Sequence, residues 1–325
     1  VNLADVTIEA QGGDLTVNPG TAIVLDGGTG ATLQAMTATE NDVIVTAINS
    51  TANESLTLSA QGTVDFQGAV NLGTGDLVAN ADTNNDGTET LAIDQTIMAD
   101  DVDLNAGGAG STTNITQTAV ITATTLDAVA TNGIALTAQN VVPTVTLNNT
   151  NAGNIEYDSD LATSGATTLT VSGANTVSGG SFDVEETTDG MTVAAAGIAT
   201  NAGVVDLETE AADQLMTLEG SVQSNQTTAD GANITLIADM MDLDGAANNA
   251  GGINAGTQGR VTLVSVTATD AIDLGSATDA AADTLELSDN ELMGITSEHL
   301  IIGNATTAGI TFTADVSAIN VADTV

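Results

Sequence analysis

The sequence predicts an all-β fold and, within that class, a parallel β-helix (β-solenoid), in which coils of short strands stack on one another. Three observations support this prediction. Apolar and small polar residues alternate in short segments along the chain, Gly, Asn, Asp and Ser separate these segments, and aromatic residues make up only 1% of the chain. Alternation with a period of two indicates a strand with one buried face. Clusters of Gly, Asn and Asp are typical of tight turns.

The strand segments recur about every 10 to 14 residues, a spacing that is typical of short-strand all-β proteins. Helical periodicity is almost absent, so we expect little or no helix. The clearest strand segments are DLTV (14–17), DVIVTAI (42–48), SLTLSA (55–60), TVDFQG (63–68), DVDLNA (101–106), GIALTA (133–138), TVTLNN (144–149), TTLTVSG (167–173), VVDLETE (204–210), ANITLIAD (232–239), RVTLVSV (260–266), TLELSD (284–289) and GITFTAD (309–315).

The composition of the core separates the β-helix from a string of β-sandwich domains. Hydrophobic residues make up 42% of the chain, but there are only three Phe, one Tyr and no Trp. β-sandwiches depend on large aromatic side chains. A β-helix instead stacks aliphatic side chains and Asn residues, like above like. We therefore favour the β-helix and expect a core of Val, Leu, Ile and Ala.

At roughly 20 to 25 residues per coil, a period within the range of known solenoids, residues 1–325 are expected to form one continuous β-solenoid. The coil number would be roughly 13 to 16. The terminal coils of a solenoid expose unpaired strand edges, which bind other strands readily. We therefore expect self-association into a fibre or a lattice.

The charge of the chain excludes several partners. The formal net charge is −42, with 43 acidic residues against a single Arg and no Lys. Such a chain cannot neutralise a phosphate backbone, so nucleic acid is excluded as a partner. No apolar run is long enough to span a bilayer, and membrane insertion is not expected. Self-repulsion of this size is relieved by salt or by divalent cations, which we expect in the protein's surroundings.

A candidate calcium loop lies at residues 82–87, with the sequence DTNNDG. Oxygen-bearing side chains occupy alternate positions, namely Asp82, Asn84 and Asp86, and Gly87 follows where a calcium loop bends sharply. Ca²⁺ prefers carboxylate and amide oxygens in this arrangement. The alternative is a solvated turn, since Asn, Asp and Gly also favour ordinary turns.

The fourth ligand of this loop is less well specified. An EF-hand loop carries a bidentate Glu at its twelfth position, which is Ile93 here. Glu89 stands too early and Asp94 stands one residue late. The predicted metal ligands, for Ca²⁺ as the one expected cofactor, are Asp82, Asn84, Asp86 and Asp94.

Three further acidic clusters are candidates for weak binding of Ca²⁺ or for bridging to neighbouring chains. The alternative is that these side chains face solvent and maintain solubility. The clusters are Asp100-Asp101-Asp103, Asp183-Glu185-Glu186 and Asp242-Asp244.

Residues 271–316 resemble the repeats of large secreted exoproteins of the filamentous-haemagglutinin type. The phrase L-S-D-x-E-L-x-x-I-T appears as Leu287 to Thr296, an L-x-I-G step follows as Leu300 to Gly303, and a strand follows as Gly309 to Ala314. The stretches at 114–126 and 231–245 resemble the same family repeats. The resemblance covers about the last hundred residues well, and the rest of the chain resembles the family only in its general pattern.

This resemblance implies a right-handed parallel β-helix, exported by a two-partner route and used as a fibrous adhesin or matrix element. It also implies an extracellular or bacterial cell-surface location and cell-surface glycans as possible partners. The family's secretion domain carries N-terminal Asn-Pro motifs, which Asn18-Pro19-Gly20 matches only in part. The chain is therefore expected to be shaft, and no binding residue is carried over.

The function expected from these observations is that of a structural fibre or adhesin shaft, not an enzyme. One alternative is a calcium-bridged S-layer or sheath protein. Another is a β-helical enzyme that acts on polysaccharides, for which Arg260 and His299, about two coils apart, are the available basic residues. We expect His299 to be a solvent-facing residue at the start of a strand.

Overall fold

The computed structural model describes residues 2–3, 5–17, 23–36, 40–87, 89–225, 231–244, 252–276, 278–279, 281, 283–317 and 320–321. The motif at residues 18–20 lies outside these ranges. Strand pairing between neighbouring coils is parallel, which confirms the predicted all-β fold and the parallel β-solenoid. Every strand segment named above contains an observed strand. The chain divides into unit 1, residues 1–158, and unit 2, residues 159–325, and the coil number and a single continuous solenoid stay predictions.

The strands of unit 1 are short, and β20 ends one residue beyond the unit. They are β1 (Asn2–Leu3), β2 (Val6–Ala10), β3 (Leu15–Thr16), β4 (Ile23–Leu25), β5 (Gly30–Ala35), β6 (Val43–Val45), β7 (Ile48–Ser50), β8 (Ser55–Ala60), β9 (Val64–Phe66), β10 (Val70–Asn71), β11 (Leu77–Ala81), β12 (Thr90–Ile93), β13 (Ile97–Met98), β14 (Asp101–Ala106), β15 (Asn114–Gln117), β16 (Ile121–Thr122), β17 (Thr125–Ala130), β18 (Ile134–Asn140), β19 (Thr144–Asn149) and β20 (Ile155–Ser159).

The described strands of unit 1 form three parallel sheets. Their strand orders are β1-β4-β7-β10-β13-β16, then β2-β5-β8-β11-β14-β17-β19, and then β3-β6-β9-β12-β15-β18-β20. Three successive strands therefore complete one coil over most of the unit. In the second of these sheets, paired positions lie about 19 residues apart at the shortest (Leu126 with Val145) and about 25 at the longest (Val6 with Ala31). This spacing agrees with the expected coil length.

The inward side chains of unit 1 stack in register from coil to coil. Leu33, Leu58, Ala79, Leu104 and Ala128 form one such ladder, and each is at most 1% exposed. A Leu above an Ala fills the space that the small side chain leaves, which is how a narrow core reaches close packing. The alternating sequence pattern therefore builds a continuous aliphatic core.

The aromatic residues correct one expectation about this core. Phe66 and Tyr157 in unit 1 and Phe182 in unit 2 are completely buried, whereas Phe312 is 68% exposed. Phe66 stacks in register between Val45 and Ile93. The core is therefore mainly, but not wholly, aliphatic.

The described part of unit 2 contains two long strands, several short strands and one short helix. Its elements are β21 (Thr168–Ser178), β22 (Phe182–Glu186), β23 (Gly190–Asn201), β24 (Val205–Thr209), β25 (Leu215–Leu218), β26 (Val222–Gln223), β27 (Ile234–Ile237), β28 (Met240–Asp242), β29 (Ile253–Asn254), β30 (Arg260–Val264), β31 (Ala271–Leu274), β32 (Thr284–Leu287), α1 (Asp289–Met293), β33 (Ile295–Ser297), β34 (His299–Ile302), β35 (Gly309–Phe312) and β36 (Asn320–Val321).

The sheets of unit 2 diverge at β23. One sheet runs β21-β23-β26-β29-β33-β36, with β25 and β28 on a branch, and a second runs β22-β24-β27-β30-β34. The first half of β23 pairs with β25 and the second half pairs with β26. A separate sheet has the order β32-β31-β35. This branching brings β28, the segment after β31 and helix α1 into one region of the unit.

Helix α1 begins with a capping box. The Ser288 Oγ accepts a hydrogen bond from Glu291 N, and the Glu291 carboxylate accepts one from Ser288 N at 2.6 Å. The S-x-x-E spacing is the sequence signature of this cap, and it predicts a helix start that the periodicity alone does not.

Among the described residues, no helix is both long enough and apolar enough to cross a membrane.

Candidate metal centres

The predicted calcium loop follows β11, and Asp82 is its first residue. Asp82 is completely buried and has a positive φ of 51°. Its Oδ1 accepts a hydrogen bond from Asp86 N at 3.2 Å, and its Oδ2 accepts one from Thr113 Oγ1 at 2.8 Å. Both carboxylate oxygens of Asp82 are therefore already engaged in holding the loop against a neighbouring coil.

Glu89 joins this loop, although the sequence spacing placed it too early for an EF-hand. A Cβ on Gly87 would lie 1.8 Å from Glu89 Oε1, so the Glu89 side chain folds back over Gly87. Burial, and then the charges of Asp82 and Asp86, raise the pKa of Glu89. Glu89 Oε2 and Asn84 Oδ1 are both closed to solvent without a hydrogen-bond partner in the described part of the chain.

Asp94, the fourth predicted ligand, lies at the other end of β12. The four residues of β12 span about 13 Å, so Asp94 stands apart from the loop. Its side chain is exposed, and its Oδ1 accepts a hydrogen bond from Thr118 Oγ1 at 3.2 Å. The structure thus places Glu89, and not Asp94, near Asp82 and Asp86. Calcium binding by this loop stays a prediction.

The acidic clusters at Asp100-Asp101-Asp103 and Asp183-Glu185-Glu186 lie at β14 and β22, respectively. Asp100 and Asp101 accept hydrogen bonds at 2.6 Å from the hydroxyls of Thr124 and Thr125, respectively. Glu186 points inward and is completely buried, while Asp183 is exposed on the opposite face of β22. Asp101 and Asp103 remain neighbours on the exposed face of β14, where burial and then the charge of Asp101 raise the pKa of Asp103. In the other cluster, Glu186 is separated from Asp183 and Glu185 by the alternation of β22.

The third predicted cluster, Asp242-Asp244, gains two partners that sequence reasoning missed. Among the described residues, one group of three acidic side chains has all its ligand atoms within 4.8 Å of one another, and it consists of Asp242, Asp279 and Glu291. We call this group the acidic corner. Asp242 ends β28, Asp279 lies between β31 and β32, and Glu291 lies in α1.

Hydrogen bonds fix Glu291 but leave oxygens of the two aspartates free. Glu291 is 2% exposed, and its Oε1 accepts a hydrogen bond from Leu243 N at 2.8 Å. Asp242 Oδ1 and Asp279 Oδ1 are closed to solvent, and neither accepts a hydrogen bond from the described residues. Buried carboxylate oxygens normally have a partner, so these two atoms require an explanation.

The pKa shifts in the acidic corner also indicate that no positive charge balances its carboxylates. Burial, and then the charges of Glu291 and Asp242, raise the pKa of Asp279 to about 7. Burial also raises the pKa of Asp242 and of Glu291, and Asp244 adds to both effects. Carboxylates that repel one another in this way are stabilised by a proton or a cation.

The two basic residues lie closer together than the sequence indicated. Arg260 on β30 pairs in register with His299 on β34. The expected distance of about two coils was wrong, because β31 and β32 belong to another sheet and β34 follows β30 directly. His299 opens its strand with a side chain that is 40% exposed, as predicted, and its Nε2 lies 3.9 Å from Glu298 Oε2.

Comparisons with known proteins assign no family to the chain. No family model matches it, and neither a curated protein nor a solved structure does. The fold and the geometry of the candidate centres therefore carry the functional argument.

Proposed function

We propose that this chain is a structural shaft, part of an extracellular fibre or adhesin of the filamentous-haemagglutinin type. The observation that carries the proposal is the in-register stacking of coils, in which Leu58, Ala79 and Leu104 stand one above the other. A stack of this kind is built by repetition, and repeat proteins of this type serve as extended scaffolds.

The hydrogen-bond pattern supports a mechanical role. In unit 1 most strands pair on both sides with strands of the preceding and following coils, as β11 does with β8 and β14. A force that separates two coils must break the parallel ladders of several strands together, and such ladders share the load. The short polar turns then connect these strands at the surface.

The composition supports a location outside the cell. Trypsin-like proteases have only Arg260 as a cleavage site, since the chain contains one Arg and no Lys. A formal charge of −42 requires salt or divalent cations for compaction, and extracellular fluids supply both. Association with cell-surface glycans belongs to the same proposal.

The proposal is tested by electron microscopy of the purified full chain, with and without millimolar calcium. We expect elongated particles that join into filaments. Discrete particles that remain separate under every condition would contradict a fibre function. A two-dimensional lattice that forms only with calcium would instead support the S-layer or sheath alternative.

A polysaccharide-active enzyme is the second candidate, and the adjacency of Arg260 and His299 favours it. Two basic side chains on neighbouring strands are able to bind a uronate carboxylate and move a proton. Turnover of an acidic polysaccharide by the wild type, abolished by Arg260→Gln, would establish this function in place of the shaft.

A further inference from the structure

We propose that Asp242, Asp279 and Glu291 form a binding site for a divalent cation, with Ca²⁺ as the preferred ion. This site is separate from the predicted loop at Asp82. The inference does not depend on the fibre function, because it rests on the geometry of the acidic corner alone.

The distances within the acidic corner suit a single ion. One ligand oxygen from each of the three residues lies within 4.8 Å of the other two. Ca²⁺ binds oxygens at about 2.3 to 2.6 Å, so two ligands on opposite sides of the ion stand about 5 Å apart. All three oxygens are therefore within reach of one Ca²⁺ without a change of backbone.

The hydrogen bonding provides a second and independent observation. Asp242 Oδ1 and Asp279 Oδ1 are closed to solvent and have no partner among the described residues. Glu291 is 2% exposed, and hydrogen bonds from Leu243 N and Ser288 N hold its carboxylate in place. The corner thus has one fixed ligand and two buried oxygens whose coordination is incomplete, which is an arrangement that a cation completes.

The chain offers no side chain that would neutralise the corner instead. Its single Arg is exposed on β30, where its register partner is His299, and there is no Lys. Carboxylates, unlike thiolates or imidazoles, select hard cations such as Ca²⁺ and Mg²⁺. Mg²⁺ demands a near-ideal octahedron and gives up its water reluctantly, so irregular carboxylates on three segments favour Ca²⁺.

A cation at this position would link three segments of unit 2 that do not lie in one sheet. Asp242 ends β28, Asp279 belongs to the connection between β31 and β32, and Glu291 belongs to α1. Binding would fix the connection and the helix against the strand. The stability of unit 2 would then increase with the free calcium concentration, because the ion binds the folded form.

Calorimetric titration of Ca²⁺ alone into the full, chelator-treated chain tests the proposal, with ionic strength held constant by NaCl. The variants are Asp242→Asn and Asp279→Asn, which keep the side-chain shape but remove a charge. The matched control is Glu210→Gln, since Glu210 is exposed and follows β24 of the same unit. Circular dichroism, recorded on each protein, verifies that it is folded.

We expect a saturable site in the wild type, with an affinity that falls about tenfold or more in each corner variant and stays unchanged in Glu210→Gln. We also expect Mg²⁺ to bind more weakly than Ca²⁺. Calcium should raise the melting temperature of the wild type and of Glu210→Gln more than that of Asp279→Asn. The proposal is overturned if the wild type shows no saturable binding, if both corner variants bind as it does, or if the control loses affinity equally.

Discussion

Glu54 in unit 1 and the acidic corner in unit 2 show two ways of holding buried carboxylates in the same fold. Glu54 is 1% exposed and accepts hydrogen bonds from the Ser50 hydroxyl and from Gly27 N and Ala52 N. The hydroxyl of Ser50, followed by backbone donors that include Gly27 N, lowers the pKa of Glu54 to about 2. In the acidic corner, burial and neighbouring carboxylates raise the pKa of Asp279 to about 7.

The difference shows what replaces basic side chains in this protein. With one Arg in 325 residues, counter-charges are almost absent, and turn N–H groups and Ser or Thr hydroxyls take their place. Where such donors converge on a carboxylate, the charged form is favoured, and where they do not, a proton or a cation is needed. The turns therefore determine which acids stabilise the fold by themselves.

Asp239 extends the comparison within unit 2. It is 1% exposed and accepts hydrogen bonds from Thr267 N and Ser265 Oγ, both at 2.7 Å, and from Asp213 N at 3.0 Å. Burial raises its pKa, but these hydrogen bonds outweigh that effect and leave the pKa below its ordinary value. A donor-rich carboxylate thus lies in the same unit as the acidic corner.

The largest effect is expected from Asp239→Ala, which removes the acceptor from these donors. Buried donors left without a partner should lower the free energy of unfolding by about 3 kcal/mol. Denaturant melts of the full chain measure this value. Asp183→Ala serves as the control, since loss of an exposed carboxylate should change the free energy of unfolding by less than about 0.5 kcal/mol. Equal stabilities for the two variants would show that the donors at Asp239 find water instead.

The second-largest effect is expected when the pH is lowered and Glu54 becomes protonated. Its pKa in the folded protein is about 2, below the ordinary value of 4.5, so its contribution to stability is complete above pH 4.5 and is lost as the pH falls toward 2. The stability difference between the wild type and Glu54→Gln, measured by denaturant melts at each pH, should therefore shrink over that range. A difference that stays constant from pH 6 to pH 2 would show that the charge of Glu54 does not stabilise the fold.

The smallest effect is expected from Asp94→Asn. Its side chain is exposed and accepts one hydrogen bond, at 3.2 Å from Thr118 Oγ1, so the free energy of unfolding should change by less than about 0.5 kcal/mol. Calcium binding, measured by the same titration, should also stay unchanged, because Asp94 lies beyond β12. A clear loss of calcium affinity would place Asp94 in a metal site after all.

The sequence predicts the strands of this protein well because alternation is a local property. SLTLSA, DVDLNA and TVTLNN coincide with β8, β14 and β19 residue for residue. Alternation also assigns faces, since counting by twos from Phe182 places Glu186 inside and Asp183 outside. The positions of these strands, and the face on which each of their residues lies, can therefore be predicted from the sequence alone.

The acidic corner could not be predicted in the same way. Asp242, Asp279 and Glu291 meet because β25 and β28 leave the main path of their sheet and β31 and β32 form another sheet. Which sheet a strand joins depends on the lengths of the turns and on which coil surfaces are still uncovered. Neither property repeats with a period along the chain. The adjacency of Arg260 and His299 was missed for the same reason.

The residue-to-residue register of unit 1 makes the coil a modular unit of length. Ala31 pairs with Leu56, and Leu56 pairs with Leu77, with the same face of each strand turned inward. Excision of residues 56–76 would join Ser55 to Leu77 and bring Leu77 beside Ala31, with inward and outward faces preserved. Loss of a single residue within a strand would instead exchange the two faces. Gene duplication and deletion are therefore able to lengthen or shorten such a protein by whole coils, while changes of one residue are tolerated mainly in the turns.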